Sequence, residues 1–401
     1  MITAPNSNQR NAMPADKDAL DVRSVDNKAR LKDFIHLPWS IYRNDPNWVA
    51  PLLIEQKQRY SSKNPFFERA RWQAWVAYRK GKPVGRISAQ IDPLHLERYA
   101  NQTGHFGSLE AENDPAIFSA LFQAAETWLA GEGMRQVTGP FTLSINEEAG
   151  LLIDGFDTPP RIMMGHNPPY YGAHIEANGF NTAQDLLAYH QPPSYEFSPT
   201  VKRLLTRLSG RIHLRHLNRK ALDSELGILR HIFNDAWSEN WGFVPFTEAE
   251  FREVGKAMTL LLDDDFVQIA EVDGEPAAMI IGLPDINQAI QDLNGRLLPF
   301  GWLKLLWRIK VRYPTRARIP LMGVLKKYQH TRLGPALAFA VTDALKQPFQ
   351  RRGIEDVEMS WILENNQGMR NIIEKLGGVE YKRYRLYEKQ LGSRTDEGIS
   401  D

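Results

Sequence analysis

The sequence predicts an α/β chain in which one plan of strands and helices is used twice. Three observations carry this. Asn47-Trp48 precedes Gly81 (in Arg79-Lys80-Gly81-Lys82-Pro83) by the same interval as Asn240-Trp241 precedes Gly274 (in Val272-Asp273-Gly274-Glu275-Pro276). Each of these glycines separates two apolar runs. The order of elements downstream then repeats, and self-similarity of this kind marks a duplicated unit.

In the first half a helical pattern over about 28–43 precedes two extended runs, Trp75–Tyr78 and Val84–Ser88, joined across Gly81. Two such runs on a tight glycine turn read as a β-hairpin. A strand ending near Gly107, a helix over about 115–131, the strand Arg135-Gln136-Val137-Thr138-Gly139, another helix, the pair Gly179-Phe180 and a last strand Leu186–Tyr189 follow. The second half repeats the order. It has a helix over about 222–237, the runs Val267–Ala270 and Ala277–Ile281, a strand ending near Gly323 and a helix over about 334–348. The strand Glu355–Trp361, a helix, Gly377-Gly378 and a last strand Tyr384–Tyr387 complete it. Pro192, Pro193 and Pro199 mark a linker. The expected organisation is a tail 1–20, a domain 21–190, a linker 191–209, a domain 210–391 carrying an insert 293–320, and a tail 392–401.

Composition narrows the function. The chain has 401 residues, 42% hydrophobic and 24% charged, with a net charge of +1. That balance suits a globular protein and argues against a dedicated nucleic-acid binder. There is no cysteine, which excludes disulfides, thiolate metal sites and a cysteine nucleophile. His166 and His174 lack metal-ligand spacing, so no metal is assigned. No apolar run reaches the length of a membrane span or a signal peptide, and a cytoplasmic protein is expected, with any membrane contact at its surface.

Charge is unevenly placed. Leu293–Thr342 holds no Asp or Glu but ten cations, among them Arg296, Lys304, Arg308, Lys310, Arg312, Arg316 and Arg318. An anionic partner is expected there. Within it, Trp302, Leu305, Leu306, Ile309 and Tyr313 share a face at helical spacing, bordered by Lys304 and Arg308. Such a face suits an interfacial membrane helix, the wall of an acyl-chain tunnel, or packing on the other half. Peripheral contact with an anionic membrane at the inner face is expected through 296–316.

The element order resembles the GNAT acyltransferase superfamily in tandem, over about residues 22–190 and 210–390. The resemblance implies a mixed central sheet flanked by helices in each half. It also implies acyl transfer from acyl-coenzyme A or acetyl-coenzyme A, as co-substrate, to an amine. In that superfamily the turn after the fourth strand carries [QR]-x-x-G-x-[GA] and holds the pyrophosphate on backbone N–H groups and a helix N-terminus. Here the second half offers Leu325, Lys326, Gln329, His330, Thr331, Arg332, Leu333 and Gly334, with Arg332 in place of the first glycine. Asn366 fits the superfamily's cofactor-touching Asn, whereas Ile373 occupies the place of its acid Tyr. The first half has Glu110, Glu112 and Asp114 at the equivalent turn. There Asp114-Pro115 reads as an N-cap with an N1 proline. The second half is therefore expected to hold the thioester.

Candidate catalytic groups come from the polar segments 139–150 and 163–172 of the first half: Asn146, Glu147 and Tyr170. Glu147 or Tyr170 could move a proton, and the competing reading has Asn146 and Glu147 capping the next helix while the tyrosines pack. The apolar insert tilts the substrate towards something hydrophobic; a long-chain amine, giving ceramide-like N-acylation, is what a resemblance to bacterial acyltransferases of that chemistry implies. Two other readings stand beside it. One is an aminoacyl-tRNA-dependent transferase. The other is a non-catalytic ligand-binding or scaffold protein, favoured by Arg332 and Ile373.

Overall fold

The computed structural model describes residues 19–259 and 261–392; the expected tails lie almost wholly outside them. The first half contributes strands β1 (Asp21–Ser24), β2 (Arg71–Arg79), β3 (Lys82–Ile91), β4 (Thr103–Ala111) and β5 (Gln136–Gly139). A small hairpin, β6 (Phe141–Thr142) and β7 (Glu148–Ala149), leads to β8 (Leu151–Asp154) and β9 (Asn181–Gln191). The second half contributes β10 (Ile212–His216), β11 (Val267–Val272), β12 (Glu275–Pro284), β13 (Arg316–Val324), β14 (Asp356–Leu363) and β15 (Val379–Gln390).

Both expected hairpins form, and for a shared reason. Lys80 and Gly81, like Asp273 and Gly274, lie at positive φ, the conformation of a two-residue turn that matches strand twist. Helix Pro115–Gly131 starts as expected, with the Asp114 carboxylate accepting from Ala116 N at 2.8 Å. Its counterpart is Leu333–Arg351.

The two halves share one mixed sheet, ordered β1-β2-β3-β4-β5-β15-β9-β14-β13-β12-β11-β10, with β8 beside β15. This order is the same read from either end. The pairs β4/β5 and β13/β14 are parallel, and the other pairs along the order are antiparallel. The last strands are exchanged: β15 pairs with β5, and β9 with β14. Their side chains follow. Tyr387 of β15 is buried with Phe106, Phe118 and Phe122 of the first half, and Leu187 and Tyr189 of β9 pack on Met359 and Ile373 of the second.

The helix expected between Arg135–Gly139 and Gly179-Phe180 forms as Tyr171–Ala177, with the strands β6–β8 inserted between it and β5. The proline-marked segment carries helix Pro199–Leu208, which lies on helix Leu333–Arg351; nearby, Tyr195 Oη donates to Thr342 O at 3.0 Å.

Because each half's sheet is finished by the other's strand, the chain should unfold in one calorimetric transition. Tyr387→Ala, which empties a buried site in the first half, should lower stability by about 3–5 kcal/mol without splitting that transition. Two resolved transitions would contradict this.

Candidate functional site

β13 and β14 stay paired from Arg316–Asp356 to Ile319–Met359, and the pairing ends there although both strands continue. Pro320, with no N–H to give, stands at the parting. In the first half the equivalent place is closed. A Cβ on Gly107 would collide with the Phe141 carbonyl, and one on Gly139 with the Phe106 carbonyl, so main chain fills that gap.

The open side of the second half leads into an apolar cavity of about 120 Å³. Leu226, Leu229 and Phe233 of helix Leu222–Ala236, and Phe251 and Met258 of helix Glu248–Thr259, roof it over Ile281 and Leu283 of β12. Arg318, Pro320 and Trp361 form its end at the parted strands, and Ile145, Asn146 and Met163 reach in from the first half.

Arg318 is almost fully buried, and burial holds its guanidinium below its ordinary pKa. It remains the charged member of its network. Nε donates to Ser360 Oγ at 2.8 Å and Nη1 to Ile162 O at 3.0 Å; Glu358 lies 3.5 Å away and the Trp361 ring beneath. Glu358, wholly buried, also accepts from Ser360 Oγ at 2.6 Å and from the Tyr381 hydroxyl. Lys382 nearby donates to Gly155 O and to Thr158 O, and burial pushes it down to about 8. Sequence reasoning missed this network. Its only linear signal is charge at inward positions of apolar strands.

The turn after β13 gathers the expected anion-binding residues. Leu325 is buried, its N–H on Ala277 O at 2.9 Å. Lys326 N donates to Asp235 Oδ2 at 2.7 Å, and its ammonium meets Glu239 at 2.8 Å. Gln329 Nε2 donates to Val324 O at 2.8 Å. Thr331 Oγ1 accepts from Leu333 N at 3.1 Å. Gly334 leaves no room for a Cβ, which would meet Tyr328 O and Gln329 O at 2.6 and 2.7 Å. His330 and Arg332 are exposed at the start of helix Leu333–Arg351. With Lys326 and Lys327 held by Glu239 and Glu275, the turn presents the exposed Arg332 and a helix end rather than an open glycine cradle. Asn366 stands apart from this turn as the N-cap of helix Gln367–Lys375, accepting from Met369 N at 3.1 Å.

Asn146 and Glu147 lie in the β6–β7 turn, where there is no helix for them to cap. Asn146 Nδ2 donates to Val244 O at 3.0 Å and lines the apolar cavity. Glu147 faces Arg59 at 3.4 Å, beside Glu148 at 2.8 Å and Glu55 at 3.6 Å from the same guanidinium. Burial, opposed by Arg59, and the other carboxylates push Glu147 up to about 7. Tyr170 sits at the first-half turn instead. Its hydroxyl donates to Ala111 O at 2.7 Å, and burial pushes it up to about 12.

The basic stretch is largely neutralised. Arg316 and Arg318 point inward to Asp285 and Glu358, and Lys304 and Arg308 hold Asp292. Lys326 and Lys327 meet Glu239 and Glu275. The carboxylates come from outside the stretch, which sequence spacing does not show.

The chain is 53% identical over 371 residues to Protein YghO of Escherichia coli K12, covering 92% of this chain and 95% of that protein. It is 46% identical over 384 residues to the protein named bacterial ceramide synthase of Caulobacter vibrioides, covering 94% and 100%. The chain belongs to the family of these two proteins. Its fold is the tandem GNAT fold. A tandem GNAT protein from the clavulanic acid biosynthesis pathway superposes with a TM-score of 0.55 at 12% identity, covering 94% of this chain and all of that one. A GCN5-related N-acetyltransferase from Sphaerobacter thermophilus gives 0.51 at 14% identity, covering 95% and 98%. No family model matches the chain.

On this tandem GNAT frame the insert forms helix Gly301–Lys310. The expected apolar face is split. Leu305 and Ile309 pack inward on a cluster with Val49, Ile286 and Ile290, and Tyr313 packs on the main second-half core. Trp302 and Leu306 are exposed together with Leu298, Phe300, Leu303, Trp307 and Val311. These are seven of the ten large apolar side chains exposed among the described residues, so the exposure is one patch. No helix among the described residues is long and apolar enough to cross a membrane.

The raised Glu147 carboxyl makes stability depend on pH. Its folded value of about 7 lies above the ordinary 4.5, so its contribution is full below about 4.5 and is lost as pH rises through 7. Glu147→Gln should therefore gain on the native protein by on the order of 2 kcal/mol between pH 5 and pH 8 in urea unfolding. A difference that stays flat over that range would contradict the assignment.

Proposed function

We propose that this protein is an acyl-coenzyme A-dependent N-acyltransferase that joins a long acyl chain to a hydrophobic amine. The observation that carries the reading is the apolar cavity opening at the parted β13 and β14, whose volume of about 120 Å³ takes the first few carbons of such a chain, with the exposed Arg332 on the turn after β13. The name of the Caulobacter relative, bacterial ceramide synthase, supports a lipid amine as acceptor.

Amide formation from a thioester needs a neutral amine, an acceptor for its proton and donors for the carbonyl oxygen. The chain has no cysteine, so the reading has the acyl group pass directly from the carried thiol to the amine. His330 and Arg332 would face the coenzyme phosphates, joined by Lys326 and Lys327 as these leave Glu239 and Glu275, with Leu325, Gln329, Thr331, Leu333 and Gly334 shaping the turn. Asn366 steadies the helix after β14, and Tyr170 steadies the first-half turn. Asn146 positions the wall between the halves. Glu147, which titrates near neutral pH in the same turn as Asn146 but lines neither cavity, would take the proton from the amine through water. No metal is needed.

The second part of the reading is place. Arg296, Lys310 and Arg312 flank the exposed patch without acidic partners among the described residues, so segment 296–316 suits an anionic lipid surface on the cytoplasmic side.

Two measurements test this. Transfer from palmitoyl-coenzyme A to a long-chain amine should release thiol and form amide, detected by mass spectrometry. Gly255→Leu, whose side chain must displace Leu226 towards the cavity, should cut that rate at least tenfold while sparing acetyl transfer. Absence of any transfer would overturn the reading, and equal loss for both thioesters would remove the cavity from it. In vesicle sedimentation, Trp302→Ser with Trp307→Ser should weaken binding to phosphatidylglycerol vesicles at least tenfold. Unchanged binding would contradict the docking surface.

A further inference from the structure

We infer that the polar cavity between the two halves receives a protonated amine, with the buried His95 Nε2 accepting one of its N–H bonds. The inference rests on the transfer reading and deepens it by locating the head of the acceptor.

The cavity measures about 510 Å³, and both halves wall it. It belongs to the first half's sheet in a way the second half does not repeat. Thr103 and His105 of β4 pair across to Gln136 and Thr138 of β5, and all four line the cavity. At the matching positions of β13 and β14 stand Arg316, Arg318, Asp356 and Glu358, all charged. In the second half buried ionic groups fill this level of the sheet; in the first, neutral polar groups leave it open.

His95, on helix Pro93–Tyr99, is 7% exposed and lines this cavity. Its Nε2 is buried and has no hydrogen-bond partner. Buried polar atoms are ordinarily paired, and one left unpaired in a cavity wall marks where a ligand atom completes the set. His105 stands edge-on at 4.6 Å between ring centroids, its own Nδ1 engaged with Thr138 Oγ1 at 2.7 Å. Burial holds both imidazoles below their ordinary pKa, so both are neutral at neutral pH, and in the tautomer with the proton on Nδ1 the Nε2 of His95 is the accepting nitrogen.

The charges around His95 favour a cation. Asp92, at the head of its own helix, meets Arg69; Glu239, from the second half, meets Lys326; Glu388, on β15, accepts from Gln136 Nε2 at 2.9 Å. Arg98 is turned to Ser238 O and lies over the Phe243 ring, while Tyr99, 4.7 Å from the His95 ring, donates to Phe243 O. Asp92 and Glu239 are already met by Arg69 and Lys326, so Glu388, held only by the neutral Gln136 amide, is the wall carboxylate that suits an ammonium group.

Position ties the cavity to the proposed chemistry. Ile145 lines both this cavity and the apolar one, so a head group held here lies one side chain from the apolar space. Glu239, through Lys326, links the same wall to the turn after β13.

Calorimetry on the full chain with decylamine and decanol tests the inference. At pH 7.5 the amine should bind at least tenfold tighter than the alcohol. Because burial lowers the pKa of His95, the preference should persist through about pH 6.5 and fall away only at lower pH, where an imidazolium would repel the ammonium. His95→Asn should weaken decylamine about tenfold, remove that acid loss and leave decanol unchanged. Glu388→Gln, on another wall, should weaken decylamine about threefold. Coenzyme A affinity, measured alongside, should be equal in all three proteins and reports that they fold. Equal binding of amine and alcohol, or decylamine affinity unchanged in both variants, would overturn the inference. Absence of coenzyme A binding to the native protein would overturn the transfer reading instead, because decylamine binding does not depend on it.

Discussion

β15 lies between β5 and β9, and β9 lies between β15 and β14, so the hydrogen bonds between the two last strands join two half-sheets into one. Backbone N–H and C=O groups in a sheet interior need partners, and here each half supplies the other's. The exchange carries side chains across as well, placing Tyr387 in the first core and Tyr189 in the second. Neither half is a complete fold without the other. The site inherits this dependence: Ile145, Asn146 and Met163 of the first half close a cavity whose roof and floor belong to the second.

The shared frame is symmetric, but the chemistry on it is not. At the parting of the parallel strands the first half is stoppered by the main chain of Phe141 lying on Gly107, while the second half is open at Pro320. The turn beyond the parting is acidic and capped in the first half, at Asp114, while in the second Lys326 and Lys327 are met by Glu239 and Glu275 and Arg332 stands exposed. The buried Arg318–Glu358 network stiffens the open side. An ion pair so deep contributes little net stability but is costly to break, which suits a fixed wall. One half has kept the opening, and the other supplies walls and polar groups around it.

What could be read from the linear chain was local. The hairpins at Gly81 and Gly274 and the cap at Asp114 each depend on a few neighbouring residues and stand where the sequence puts them, whereas β6–β8 and helix Pro199–Leu208 interrupt the order the sequence suggests. Tertiary pairing was invisible. β9 and β15 look alike as apolar strands, and nothing within either names its neighbour. The inward side of helix Gly301–Lys310 is set by Val49 and Ile286, so Leu305 and Ile309 are buried while Trp302 stays outside. The basic stretch looked unopposed because Asp285, Asp292 and Glu358 meet it only in space. Of the candidate groups, all in the first half, Asn146 reaches the apolar cavity, Glu147 follows it in the same turn, and Tyr170 lies at the first-half turn on Ala111. His95 and His105 carry no shared motif, and only the fold brings their rings together.

The central claim is that a long-chain thioester occupies the second half, its chain under helices Leu222–Ala236 and Glu248–Thr259 and its phosphates at the turn 325–334. A crystal structure with a non-hydrolysable palmitoyl-coenzyme A analogue tests it most directly. The account predicts chain density beside Phe233, Phe251 and Met258, entering between Pro320 and Trp361. A thioester bound at the first-half turn beside Asp114, with the second-half cavity empty, would contradict it.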